Sequence, residues 1–133
     1  MPVSLKNQVA LVVGASSGIG RAIAVLLARE GASVMASARR EDRLRALKAE
    51  MAGHRFEICC ADATQVPDVE RLVAETRRVL GPIGIMVYAT GTNTPDRSMA
   101  RLRPATWDEL ISTNLNGAYY VTQAVLPDRK SVV

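Results

Sequence analysis

Four short apolar runs, each followed by a segment of helical periodicity, recur along the 133 residues, and this alternation restricts the fold more than any other feature of the chain. The first run, "QVALVV" (Gln8 to Val13), is rich in β-branched residues and precedes Ile19 to Glu30. There Ile19, Ala22, Ile23, Leu26 and Leu27 are expected to face inward. Gly31 stops that helix, "SVMASA" (Ser33 to Ala38) is a second strand, and Glu41 to Met51 places Leu44, Leu47 and Met51 on one helical face. "RFEICCA" (Arg55 to Ala61) is a third strand. Pro67 then opens a helix over Asp68 to Leu80, with Val69, Leu72, Val73, Thr76 and either Val79 or Leu80 inward, and Gly81-Pro82 closes it. "IGIMVYA" (Ile83 to Ala89) is a fourth strand. A loop from Thr90 to about Pro104 leads to a last helix, with Thr106 and Glu109 as its capping box and its end near Pro127. Strands apolar on both faces and separated by helices require a parallel sheet covered on each side, with right-handed crossovers. The expected fold class is α/β, a doubly wound three-layer sandwich with a parallel sheet of about four strands, forming one domain over residues 1–133.

Composition excludes several function classes. With 48% hydrophobic and 23% charged residues and no repeat, the chain is neither disordered nor a solenoid. The charge of +4 comes from arginines that alternate with acids in "RREDRLRALKAEM" and "DVERLVAETRRVL", the pattern of solvated helix faces. No basic stripe is interleaved with stacking aromatics, so nucleic acid is not the expected partner. The longest uncharged run, Leu110 to Pro127, contains Asn114, Asn116, Gly117, Thr122 and Gln123 and reads as a buried helix, not a membrane span. The N-terminus lacks a basic head before an apolar core, which makes the expected location cytoplasmic. Cys59 and Cys60 are adjacent, so on a strand they point to opposite faces and are expected to stay reduced. His54, the single histidine, has no companion at metal-ligand spacing; it reads as a surface loop residue, and no metal is expected.

Between the first strand and first helix stands "VGASSGIG" (Val13 to Gly20). In a doubly wound sheet this turn borders the crevice where strand order reverses, the usual ligand position. Gly14 suits a tight exit from the strand, Gly18 a close approach of ligand to backbone, and Gly20 tight packing of helix on sheet. Free amides at the helix start, at the positive end of its dipole, suit a pyrophosphate. The ATP-binding loop is excluded, since it needs Gly-Lys-Ser/Thr where this chain has Gly20-Arg21-Ala22.

The glycine spacing is G-x-x-x-G-x-G, and other motifs follow it in order: "ASARRED" after the second strand, "ADAT" after the third, Gly91 after the fourth, and "ISTNLNGAYYVTQAVLP" on the last helix. With these the chain resembles the short-chain dehydrogenase/reductases over nearly its whole length. The resemblance implies that Gly14, Ser16, Ser17, Gly18, Ile19 and Gly20 line the cofactor phosphates. It also implies that Asp62, beside Ala63, hydrogen-bonds the adenine amine, that Ala89 and Gly91 border the cofactor, and that Asn114 is the active-site asparagine. Two bland readings stand beside these: Asp62 as an Asx residue bracing a turn, and Asn114 as an amide bonded to a neighbouring helix.

The choice between the two nicotinamide cofactors turns on the end of the second strand, where an acid would accept ribose hydroxyls and repel an extra phosphate. Here stand Ala38-Arg39-Arg40, and a guanidinium 4 Å from a phosphate oxygen gains about 4 kcal/mol at an effective dielectric of 20, before desolvation. NADP is therefore expected over NAD; the bland alternative is a solvated arginine pair starting a helix. Glu41 and Asp42 suit the helix dipole and do not argue for NAD.

The family's proton donor is a tyrosine with a lysine four residues later. Here Tyr88 is followed at that spacing by Thr92, Tyr119 by Gln123 and Tyr120 by Ala124. The family's serine lies on a later strand. "YATG" (Tyr88 to Gly91) stands where the family has "NNAG", Val13 replaces the threonine common before the first glycine, and "KSVV" (Lys130 to Val133) reads as the start of a fifth strand. Three functions follow as alternatives: an NADP-dependent oxidoreductase acting on a small carbonyl or alcohol, represented by its cofactor-binding half; a non-catalytic NADP-binding module pairing with itself or a relative through the last helix; or an unstable remnant.

Overall fold

A computed structural model describes residues 4–128; the expected fifth strand at Lys130 to Val133 lies outside them. Along the chain run β1 (Val9–Val13), α1 (Gly18–Arg29), β2 (Ser33–Ala38), α2 (Glu41–Glu50), β3 (Phe56–Cys60), α3 (Val66–Val79), β4 (Ile85–Tyr88) and α4 (Pro104–Ile111). A π-helical turn at Ser112–Asn116 joins α4 to α5 (Gly117–Val125), and a 3-10 turn covers Leu126–Asp128. The strands form one parallel sheet in the order β3-β2-β1-β4. The chain moves outward from β1 to β3 and then returns to the other side of β1, so strand order reverses between β1 and β4. Val13 pairs with both Ser37 and Tyr88, and Ala38 pairs with Cys60. All four strands thus end together, and the segments that follow them open on a single edge.

Side chains alternating along β1 separate two cores. Val9, Leu11 and Val13 pack with Met35, with Val69, Leu72 and Val73 of α3, and with Val121 and Val125 of α5. Ala10 and Val12 pack on the opposite face with Val34 and Ala36, with Ala24 and Ala28 of α1, and with Leu44 and Leu47 of α2. Three layers result, as the apolar strands require.

The inward face of α1 is not the one its large apolar residues suggest. Gly20, Ala24 and Ala28 are buried, whereas Ile19 and Leu26 are 77% and 60% exposed. A Cβ on Gly20 would overlap the Gly14 carbonyl oxygen, so the helix lies too close to the first turn for anything but small side chains there. The helix turns Gly20, Ala24 and Ala28 inward, leaves Ile19, Ala22 and Leu26 exposed, and packs Val25 and Leu27 only partly against the core.

The last helix also differs from expectation. It starts at Pro104, with extended Arg103 as its N-cap, because the residue before a proline avoids the helical region. Thr106 therefore lies inside the helix, and the expected Thr106–Glu109 capping box does not form. Nor is the segment a buried helix: α4 has no buried residue, and Leu115 and Tyr119 are 60% and 58% exposed. Only Gly117, Val121 and Val125, four residues apart, are buried, so a lack of charge marked the wrong extent of contact. His54 is exposed, and Cys59 and Cys60 are free thiols. Among the described residues there is no group of three or more histidine, cysteine or acidic side chains placed to hold a metal, and no helix long and apolar enough to cross a membrane.

Candidate functional site

The strand ends enclose a cleft of about 320 Å³ lined from four directions: the turn after β1 (Gly14, Ser16, Ser17), the end of β2 and start of α2 (Ala38 to Arg40, Arg43), the turn after β3 (Ala61 to Thr64), and the loop after β4 (Ala89 to Gly91) with Thr113. Gly14 holds φ +88°, and a Cβ there would stand 2.5 Å from Thr90 Oγ1 and 2.7 Å from the Ala89 carbonyl carbon. Its amide and that of Ala15 donate to the Ser37 carbonyl at 2.8 and 3.0 Å, which fixes the exit from β1. Gly18 holds φ +58°, and a Cβ there would meet nothing within 4 Å.

Ser17 caps α1 in an extended conformation without a side-chain bond to the first turn, and that turn contains no acidic residue. No side chain of the cap or of the first turn satisfies its amides, and this end of a twelve-residue helix, with the positive end of its dipole, borders the cleft.

On the β2 side the guanidinium groups of Arg39, Arg40 and Arg43 have no ion-pair partner among the described residues, although seven other ion pairs form there. Ala38 is buried, so no acid stands at the strand end. Across from Arg39, Asp62 Oδ1 accepts from the Thr64 amide at 2.9 Å and the Thr64 hydroxyl at 2.7 Å. Partial burial pushes the Asp62 carboxyl up, but these two bonds and the Arg39 charge outweigh it and hold the group below the ordinary carboxylate range. The Asx-type turn thus forms, and Asp62, which lines the cleft, keeps its Oδ2 without a hydrogen-bond partner among the described residues.

Asn114 lies beside the loop after β4, in the π turn. Its Oδ1 accepts from Thr92 N at 2.8 Å and its Nδ2 donates to Thr92 O at 2.9 Å, so both ends of the amide grip one loop residue and not a neighbouring helix. Of the residues singled out in the sequence, Gly14, Ser16, Ser17, Arg39, Arg40, Asp62, Ala63, Ala89 and Gly91 line the cleft. Gly18, Ile19, Gly20 and Asn114 stand behind or beside its wall. Arg43, Thr64, Thr90 and Thr113 line it without having been singled out. Arg43 lies one helical turn beyond Arg39 and Arg40, a spacing that could have revealed it.

A parallel α/β sheet with a cleft at the reversal of strand order and a glycine turn leading into a helix defines the doubly wound class, whose ligands bind at that position. The family model for short chain dehydrogenases matches residues 8–131, and the chain belongs to that family. Uncharacterized oxidoreductases of Staphylococcus aureus (strain MRSA252) and Staphylococcus haemolyticus (strain JCSC1435) are 31% and 33% identical to it over 123 residues, covering 92% of this chain and 53% of each relative. Among solved structures, an actinorhodin polyketide ketoreductase variant with NADPH superposes with a TM-score of 0.87 at 36% identity, covering 96% of this chain and 49% of that one. A short-chain dehydrogenase/reductase from Brucella melitensis superposes with a TM-score of 0.91 at 31% identity, covering 96% and 55%. The chain thus spans about half the length of the curated relatives it matches.

Proposed function

We propose that these 133 residues are the NADP-binding half of a short-chain oxidoreductase that moves hydride between a nicotinamide cofactor and a small carbonyl or alcohol. The observation that carries the choice of cofactor is the trio Arg39, Arg40 and Arg43, unpaired at the end of a strand that offers no acid. Unpaired guanidinium groups converging on a cleft call for an anion, and a phosphate on the adenosine ribose supplies one where an NAD site would carry a carboxylate. The uncapped amides of α1 and the turn at Gly14 to Ser17 suit the pyrophosphate, and Asp62 Oδ2 suits the adenine amine.

The bound cofactor supplies the hydride. The chain's own residues bind and orient it: arginines at one end, glycine turn in the middle, Ala89 to Gly91 at the other. A carbonyl receiving hydride also needs a proton donor, worth about 10²–10⁴-fold, and no tyrosine in this sequence has a lysine four residues on to lower its pKa. That observation favours a second reading for the segment alone, an NADP-binding module without catalysis, and carbonyl turnover by these 133 residues in the presence of NADPH would exclude it.

Replacing Arg39→Ala and Arg40→Ala together is expected to lower NADPH affinity by about 10- to 100-fold while leaving NADH affinity nearly unchanged, as read by isothermal titration. An unchanged NADPH/NADH affinity ratio would mean that the arginines are only a solvated helix start.

A further inference from the structure

Tyr88, the last residue of β4, stands where the family has an asparagine, and its side chain reaches the π turn. Within that turn Gly117 donates its amide to Ser112, five residues back, so the Thr113 carbonyl loses the bond that an α-helix would give it from Gly117. The Tyr88 hydroxyl donates to that carbonyl at 2.6 Å. Gly117 leaves the room: a Cβ there would overlap the phenol oxygen and approach the Ala63 carbonyl to 3.4 Å. Thr113 lines the cleft, and its neighbour Asn114 grips Thr92 from both sides. Two contacts therefore tie the end of β4 and the loop after it to one turn of helix. The phenol is half-buried, and burial followed by the Asp62 carboxylate raises its pKa, so it remains a donor throughout the neutral range.

Resting on the NADP reading above, we infer that Tyr88 is a positioning residue for the non-adenosine half of the dinucleotide, acting through the Thr113 carbonyl and the Asn114 grip on the loop at Ala89 to Thr92. The sheet order supports the assignment of ends. β2 and β3 lie on one side of β1 and β4 on the other, so a ligand with adenosine at Arg39 and Asp62 and pyrophosphate at the β1 turn brings its second nucleoside to the end of β4. On this inference, loss of the Tyr88 hydroxyl strands the carbonyl that the π turn opened and loosens chiefly the β4 side of the cleft.

The test is titration of the 133-residue chain and its variants with NADPH and with adenosine 2′,5′-bisphosphate, which lacks the nicotinamide half. Tyr88→Phe is expected to weaken NADPH about three- to tenfold and to leave the bisphosphate unchanged. Gly117→Ala, which pushes on the same hydroxyl from the other side, is expected to reproduce that split. Equal losses for both ligands would mark Tyr88 as a general structural residue, and no loss for either would remove it from the site; both outcomes overturn the inference. If the unsubstituted chain binds neither ligand, the NADP reading fails and the inference with it, whereas binding of both with no split fails the inference alone.

Discussion

At Gly20 a single hydrogen is all the space that the fold allows. The atom a side chain would strike is the Gly14 carbonyl oxygen, part of the backbone that shapes the glycine turn, so neither partner can swing aside. Gly20→Ala is expected to cost about 1–3 kcal/mol in urea unfolding and to weaken NADPH binding, because relief of the overlap must shift the turn or the helix. Gly18→Ala meets no neighbour and should cost less, chiefly through its positive φ. These glycine positions were legible in the sequence because only glycine satisfies them at that spacing. The inward face of α1 was not legible: the same close approach that requires Gly20 also selects Ala24 and Ala28, and hydrophobic periodicity weights large residues over small ones. Arg43 joins Arg39 and Arg40 at the cleft through the first turn of α2, one helical turn beyond them.

Among the elements, α3, the approach to β4 and the last turn meet at Asp128. Its Oδ1 accepts from Arg77 Nε at 2.7 Å and its Oδ2 from the Ile83 amide at 2.8 Å, with the aspartate side chain only 10% exposed. Burial raises the carboxyl pKa, but the Arg77 and Ile83 bonds together with the Arg77 charge hold it below its ordinary value of 3.8. A carboxylate depressed in the folded state stabilises fully above its unfolded pKa and loses that contribution as pH falls through the folded one. Asp128→Asn is therefore expected to lower stability by about 1–3 kcal/mol at pH 7 and by much less near pH 3, measured by thermal unfolding across that range. A penalty independent of pH would show that the side chain acts by shape alone. The four strands and the helices α1 to α3 were legible from their apolar runs and helical periods, whereas the single helix expected after β4 is divided by a π turn. The start of α4 was misplaced because a capping-box pattern at Thr106 competed with Pro104, whose effect on Arg103 prevails. The π turn had no signal in the periodicity; it follows from Tyr88 on β4 and Gly117 on α5, which meet only once those two elements pack.

For the molecule as a whole, the order β3-β2-β1-β4 with all strand ends in register explains why residues drawn from four separate turns face one cleft. The class of fold was readable from the alternation of elements. The convergence of Arg39, Asp62 and Ala89 depends on which strands lie side by side, and no local pattern states that order. The two cores cover both faces of the sheet, so the cleft at its edge is formed by backbone turns held on a packed scaffold. Its charge is lopsided: unpaired arginines beside β2, uncapped amides at α1, and a single carboxylate already engaged by Thr64. On the NADP reading proposed above, such a field is expected to favour the more highly phosphorylated of two otherwise identical dinucleotides. Titration of the unsubstituted 133-residue chain with NADPH and NADH in the same buffer tests this most directly: the arrangement predicts NADPH tighter by about tenfold or more, with a preference that shrinks as salt rises. Equal affinities, or tighter binding of NADH, would contradict it.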